Sequence, residues 1–114
     1  MARWIRPEAR ERIYKADNYV CQFALVGRCV LANKEYTSSQ LTKENANDRF
    51  SLDHILPRCQ GGMNQPSNLI TVHRLCNSTR QDKSIVEWIG AQGVEKLANI
   101  NKRVAPTLLS VLGG

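Results

Sequence analysis

The chain has 114 residues, 42% hydrophobic and 23% charged, which fits one globular domain over residues 1–114 with a modest core that a metal or disulfide staple would help. No apolar run approaches the roughly 20 residues that span a bilayer, and the opening MARWIRPEARER lacks the apolar stretch of a secretory signal, so a cytoplasmic protein without a membrane partner is expected. A formal charge of +6, spread along the chain rather than gathered in a tail, suits a polyanionic partner bound by a surface that the fold assembles.

RPEARERIYKAD predicts a short helix, with Pro7 at its first position, Glu8 in its first turn and Ala9, Ile13 and Ala16 at helical spacing. YVCQFAL is aromatic and β-branched, which reads as a strand or a knuckle. Residues 30–48 are polar and read as a long loop, with room for a short helix around SSQLTKENA. RFSLDHIL and NLITVH read as two strands of a hairpin whose intervening loop of about ten residues carries Gly61 and Gly62. LCNSTRQDK can turn helically, Ser84 and Glu87 are spaced as a capping box for a helix in SIVEWIGAQ, and VEKLANINKR adds another that ends before Pro106. The plan is therefore α+β: an N-terminal helix and knuckle over 7–30, a core over 50–84 and C-terminal helices over 84–112.

Chemistry concentrates between residues 53 and 83, in the order Asp53-His54, Asn68, His73-x-x-Cys76 and Asn77. Each has a structural explanation when taken alone: a strand end, a turn residue, a helix cap. Together, LDHILPRCQGGMNQPSNLITVHRLCNSTRQDKS resembles the HNH nuclease family. The resemblance rests on Asp53, His54, Pro57, Gly61, Gly62, Asn68, Leu69, Cys76 and Asn77 in matching order, and extends weakly to the knuckle around Cys21.

That resemblance implies a ββα-metal core of hairpin plus helix, and a metal-dependent endonuclease whose products carry a 5′-phosphate and a 3′-hydroxyl. It implies DNA, double-stranded, as the partner, and a bacterial or phage setting in which a phage packaging complex or another protein is a further candidate partner. Phosphodiester hydrolysis needs a deprotonated water and something to hold the charge that builds on phosphorus and the leaving oxygen. A histidine near its ordinary pKa can take the proton, and a hard cation on oxygen ligands can hold the charge. His54 is therefore the expected general base, with Asn68 orienting the loop or the His54 ring. Asp53 and Asn77 are the expected ligands of a catalytic divalent ion, Mg²⁺ first and Mn²⁺ next. Arg58, Arg74, Arg80 and Lys83 are expected at phosphates, and Gln81 is left open.

Because neighbouring residues of a regular strand point to opposite faces, Asp53 and His54 are expected to reach the scissile phosphate from different sides. His73-x-x-Cys76 stands where many HNH proteins have Cys-x-x-Cys, and a histidine can replace a thiolate at tetrahedral zinc. Cys21, Cys29, His73 and Cys76 are the expected ligands of a structural Zn²⁺, although seven residues intervene between the first two; Cys59 remains as a free thiol. The rival reading is a non-catalytic zinc-containing module that binds nucleic acid, or an adaptor in a phage complex.

Overall fold

The structure, a computed structural model, describes residues 5–30 and 49–113, so the loop and short helix expected before residue 49 lie outside the described residues. Helix α1, Pro7–Ala16, starts on Pro7, whose missing N–H costs nothing in the first turn, and buries Ile13 and Tyr14. Asp17 follows, and Asn18 and Tyr19 take left-handed φ values of 58° and 56° that turn the chain sharply. The YVCQFAL segment is a knuckle rather than a strand: Gln22–Val26 form a 3₁₀ turn that ends at left-handed Gly27. The aromatic and β-branched signal there reflects burial, since Phe23 is wholly buried and pairs with no strand among the described residues.

Strands β1, Phe50–His54, and β2, Leu69–His73, form an antiparallel pair in the register Phe50↔His73 to His54↔Leu69. The strands are shorter and the connection longer than expected, because Ile55 and Leu56 leave the ladder and residues 55–68 make the loop. All five residues of β2 are buried, the polar Thr71 and His73 with the apolar Leu69, Ile70 and Val72, so this strand runs through the middle of the molecule. Its outer edge is closed by side chains: buried Asp17 accepts from the Thr71 N–H at 3.0 Å, and Arg103 donates to the Leu69 carbonyl at 2.7 Å. Arg103 also grips Asp17 with both terminal nitrogens, at 2.6 and 3.1 Å. The edge of a two-stranded sheet is thus paired internally rather than offered to another chain.

β2 runs straight into α2, Arg74–Arg80, with His73 as the residue before its first turn. The capping box appears as expected at α3, Ile85–Ile100, where Glu87 N–H bonds Ser84 Oγ at 3.0 Å and Ser84 N–H bonds Glu87 Oε1 at 2.8 Å. The two helices expected in this span are both present within it, and Gly90, with a φ of 80° and a ψ of 159°, breaks the helical path between them. The helix ends before Pro106, as expected, at Ile100, and Pro106 belongs to the next element. It stands in the first turn of α4, Ala105–Gly113, where proline is tolerated. The core joins these layers through Phe23, Phe50, Ile70, Val72, Val94, Leu97 and Leu108. No helix among the described residues is long and apolar enough to cross a membrane.

Candidate active site and metal cluster

α2 faces the hairpin with a stripe at helical spacing: Cys76, Asn77 and Arg80, with His73 one turn before them. Each of these residues meets a different partner, and the partners separate the site into two halves.

In the first half, α2 is fastened to alternate residues of β1. Asn77 Nδ2 donates to Ser51 Oγ at 2.9 Å, and Arg80 donates from one terminal nitrogen to Asp53 Oδ2 at 2.7 Å. Residues 51 and 53 lie on one face of the strand, which matches positions 77 and 80 on one face of the helix. Asp53 is 6% exposed, and burial raises its pKa above the ordinary value against the pull of Arg80 and His54.

His54, the last residue of β1, turns the other way, and its Nε2 lies 2.6 Å from Asn64 Oδ1. A cleft of about 230 Å³ nevertheless brings the two neighbours together, lined by Asp53, His54, Pro57, Arg58, Asn77, Arg80 and Gln81 beside Leu52. A second groove of about 470 Å³ shares Leu52 and Asn77 with it and adds Ile5, Arg10, Ser51, Arg74 and Ser78. Arg10 is a basic residue of this surface that the sequence alone did not single out.

The cleft fits a hard cation by donor chemistry. Asp53 Oδ2 is committed to Arg80, so Oδ1 is the carboxylate oxygen left for an ion. Anchoring Asn77 Nδ2 on Ser51 leaves its amide oxygen as the second donor. Two oxygen donors and room for water are what a largely hydrated Mg²⁺ requires.

Two expected roles change, those of Arg80 and Lys83, while Asn68 takes the first of the two expected for it, the loop rather than the ring. Arg80, expected at phosphate, is 2% exposed, and its guanidinium also donates to the carbonyls of His54 at 3.0 Å, Ile55 at 3.2 Å and Lys83 at 2.9 Å. Its five donors make it a clasp between α2 and the end of β1. Asn68 does not touch the His54 ring. Its Oδ1 accepts from Leu56 N–H at 2.8 Å, and its Nδ2 donates to the Leu56 and Met63 carbonyls, both at 3.0 Å, so it closes the loop. Lys83 places its Nζ 5.9 Å from the centre of the Trp88 ring rather than on the cleft wall.

The loop explains the Gly-Gly pair by two separate needs. Gly61 has a φ of 94°, which a side chain disfavours. Gly62 crosses so close over Leu56 that a methyl would fall on the Leu56 carbonyl oxygen and lie 2.9 Å from Asn68 Nδ2.

In the second half, Cys21, Cys29, His73 and Cys76 bring one ligand atom each to within 4.8 Å of one another, a group that could hold a metal ion. The Sγ atoms of Cys21 and Cys76 are 3.8 Å apart, and those of Cys76 and Cys29 are 3.6 Å apart. His73 Nδ1 lies 3.3 Å from Cys29 Sγ and 3.8 Å from Cys76 Sγ. Tetrahedral zinc, with Zn–S of about 2.3 Å and Zn–N of about 2.0 Å, requires edges of about 3.8 Å between sulfurs and about 3.5 Å between sulfur and nitrogen. The set matches. The left-handed turn at Gly27 returns the chain so that Cys29 reaches Cys76 despite its wide separation from Cys21.

The Phe50 ring stacks on His73 at 5.4 Å and fixes the plane of the imidazole. The hydrogen bond from Cys21 lowers the Cys76 pKa to about 4, and the same contact together with burial pushes Cys21 up. A cation at the centre would favour the thiolate at every cysteine. Cys59 is exposed and free, as expected.

Residues 38–83 match the model of the family described as HNH endonuclease. No curated protein and no solved structure matches the chain.

Proposed function

We propose, on the premise that the chain carries an HNH endonuclease domain, that it is a metal-dependent endonuclease that hydrolyses DNA phosphodiester bonds. The observation that carries this reading is the single cleft on which Asp53, His54 and Asn77 converge. His54 takes a proton from water as the water oxygen attacks phosphorus; the bond to the leaving 3′-oxygen breaks, and that oxygen takes a proton from solvent water, releasing a 5′-phosphate and a 3′-hydroxyl. Asp53 and Asn77 would hold a divalent cation, Mg²⁺ or Mn²⁺, which stabilises the negative charge that develops on the phosphoryl group and leaving oxygen. Arg58 on the cleft wall, and Arg10 and Arg74 in the adjoining groove, offer charge to the backbone phosphates on either side of the scissile bond. Cys21, Cys29, His73 and Cys76 would hold a structural Zn²⁺ that ties the knuckle to the start of α2.

One observation favours a second reading. Arg80 already pairs with Asp53, which leaves the carboxylate less need of a cation and suits a non-catalytic zinc-containing module that binds nucleic acid. Supercoiled plasmid separates the two when incubated with purified protein and Mg²⁺ or Mn²⁺, with and without chelator, beside His54→Ala. The nuclease reading expects metal-dependent nicked or linear product from the native chain and none from the variant. Equal cleavage by His54→Ala removes the mechanism. Binding without cleavage by either protein supports the module.

A further inference from the structure

We propose that Asn64 is the positioning residue of His54, setting both the direction of the ring and which of its nitrogens carries the proton. The inference rests on the reading of His54 as general base. It starts from the 2.6 Å contact between His54 Nε2 and Asn64 Oδ1. A neutral imidazole has one N–H and one lone pair. An amide oxygen can only accept, so Nε2 carries the proton and Nδ1 holds the lone pair that receives a proton from water.

Asn64 can do this because the loop presents it from a fixed point. The carbonyl of Met63, the residue before it, is held by Asn68 Nδ2 at 3.0 Å. The same Asn68 side chain binds both polar groups of the Leu56 backbone, and Ile55 N–H bonds the Asn68 carbonyl at 2.9 Å. Gly62 N–H bonds the Pro57 carbonyl at 2.9 Å, which closes the turn that leads to Met63. Asn68 therefore acts on His54 at one remove: it fixes Met63, Met63 places Asn64, and Asn64 holds the ring. The adjacent hydrogen-bonded loop replaces free rotation of a half-exposed imidazole by one orientation, which general-base catalysis needs.

Two substitutions and one spectrum test this. Asn64→Leu keeps the size and removes the oxygen, and is expected to lower kcat for plasmid cleavage about 10–100-fold with KM little changed, the usual loss on removing an orienting partner. Asn64→Asp keeps an oxygen at the same place without the amide nitrogen, and is expected to retain most of the rate. If instead Asn64→Asp loses the rate as Asn64→Leu does, the amide nitrogen is the group that matters, and the assigned tautomer is overturned.

The chain has only two histidines, so the ring nitrogens of His54 are readily assigned by NMR. The native protein and Asn64→Asp are expected to show a slowly exchanging Nε2–H signal that Asn64→Leu lacks. Absence of that signal from the native protein overturns the inference whether or not a variant folds or cleaves. Full cleavage by His54→Ala defeats the underlying reading instead. An inactive His54→Ala beside a fully active Asn64→Leu defeats only the role of Asn64.

Discussion

Replacing Arg80 by methionine distinguishes a clasp from a phosphate contact, because the two roles predict opposite phenotypes. In the clasp, the substitution strands a carboxylate that is 6% exposed and removes a charged donor that lies 2.7 Å from it. Breaking a buried pair on one side costs ~3–5 kcal/mol. Three backbone carbonyls also lose a donor at 2.9 to 3.2 Å, but each regains some hydration, so the total stays near ~4 kcal/mol. Against a typical domain stability of ~5–15 kcal/mol, that is a large share, equivalent to a fall in Tm of roughly 15 °C.

The assay is urea unfolding of the native protein, Arg80→Met and the double variant Asp53→Asn/Arg80→Met at pH 5 and pH 8. Without Arg80, only the weaker pull of His54 opposes the burial that already raises the Asp53 pKa, and the folded state binds the proton more tightly than the unfolded state does. Stability of Arg80→Met should then fall as pH rises through the folded pKa, making its deficit larger at pH 8 than at pH 5. The double variant, with no stranded charge, should lose less than Arg80→Met alone. An unchanged urea midpoint for Arg80→Met, with DNA affinity weakened and its salt dependence reduced by about one ion, would refute the clasp and restore the phosphate contact.

Removing metal from the Cys21, Cys29, His73 and Cys76 cluster should abolish cooperative unfolding, since structural zinc contributes ~10–16 kcal/mol in small domains. One zinc per chain by elemental analysis and a lost thermal transition after chelation are the expected results, and an identical melt after chelation would count against the site. The two adjacent glycines should answer differently to alanine. Gly61→Ala has open space and only an unfavourable φ, so it should cost about 1–2 kcal/mol. Gly62→Ala must displace the Leu56 carbonyl and should cost clearly more in urea unfolding, as well as lowering cleavage through Asn68 and Asn64; equal losses at the two positions would contradict the close approach.

What could be read from the sequence was what the chain writes locally. Asp53-His54, the glycine pair, Asn68 and the stripe from His73 to Arg80 occupy one short stretch in which residue type and spacing together specify a hairpin feeding a helix. Even Cys29, out of step with ordinary zinc spacing, falls in place because Gly27 turns the chain back. The roles that changed depend on partners distant in sequence. An arginine in a basic chain reads as surface, and nothing near Arg80 announces that Asp53 and two carbonyls lie 25 to 27 residues away waiting to bury it. Asp17 and Arg103 escaped notice for the same reason, being joined across 86 positions. Asn64 was hidden differently, as a loop polar residue whose type fits any turn and whose role depends on where Asn68 holds the loop.

The seven residues of α2 also connect chemistry that the sequence lists as separate motifs. His73 and Cys76 belong to the metal cluster, while Asn77 and Arg80 belong to the cleft, and successive positions 76 and 77 look into different halves. A helix of two turns is too short to hold itself in water, so its position must come from its contacts. On one side those contacts are Cys21 and Cys29; on the other they are Ser51 and Asp53. A metal bound by the cysteines would therefore fix the helix that places Asn77 beside Asp53. On this geometry the two halves are coupled: loosening the cluster withdraws an oxygen donor from the cleft and slackens the hold of Arg80 on the His54 carbonyl, while Asn64 stays with the loop that Asn68 closes.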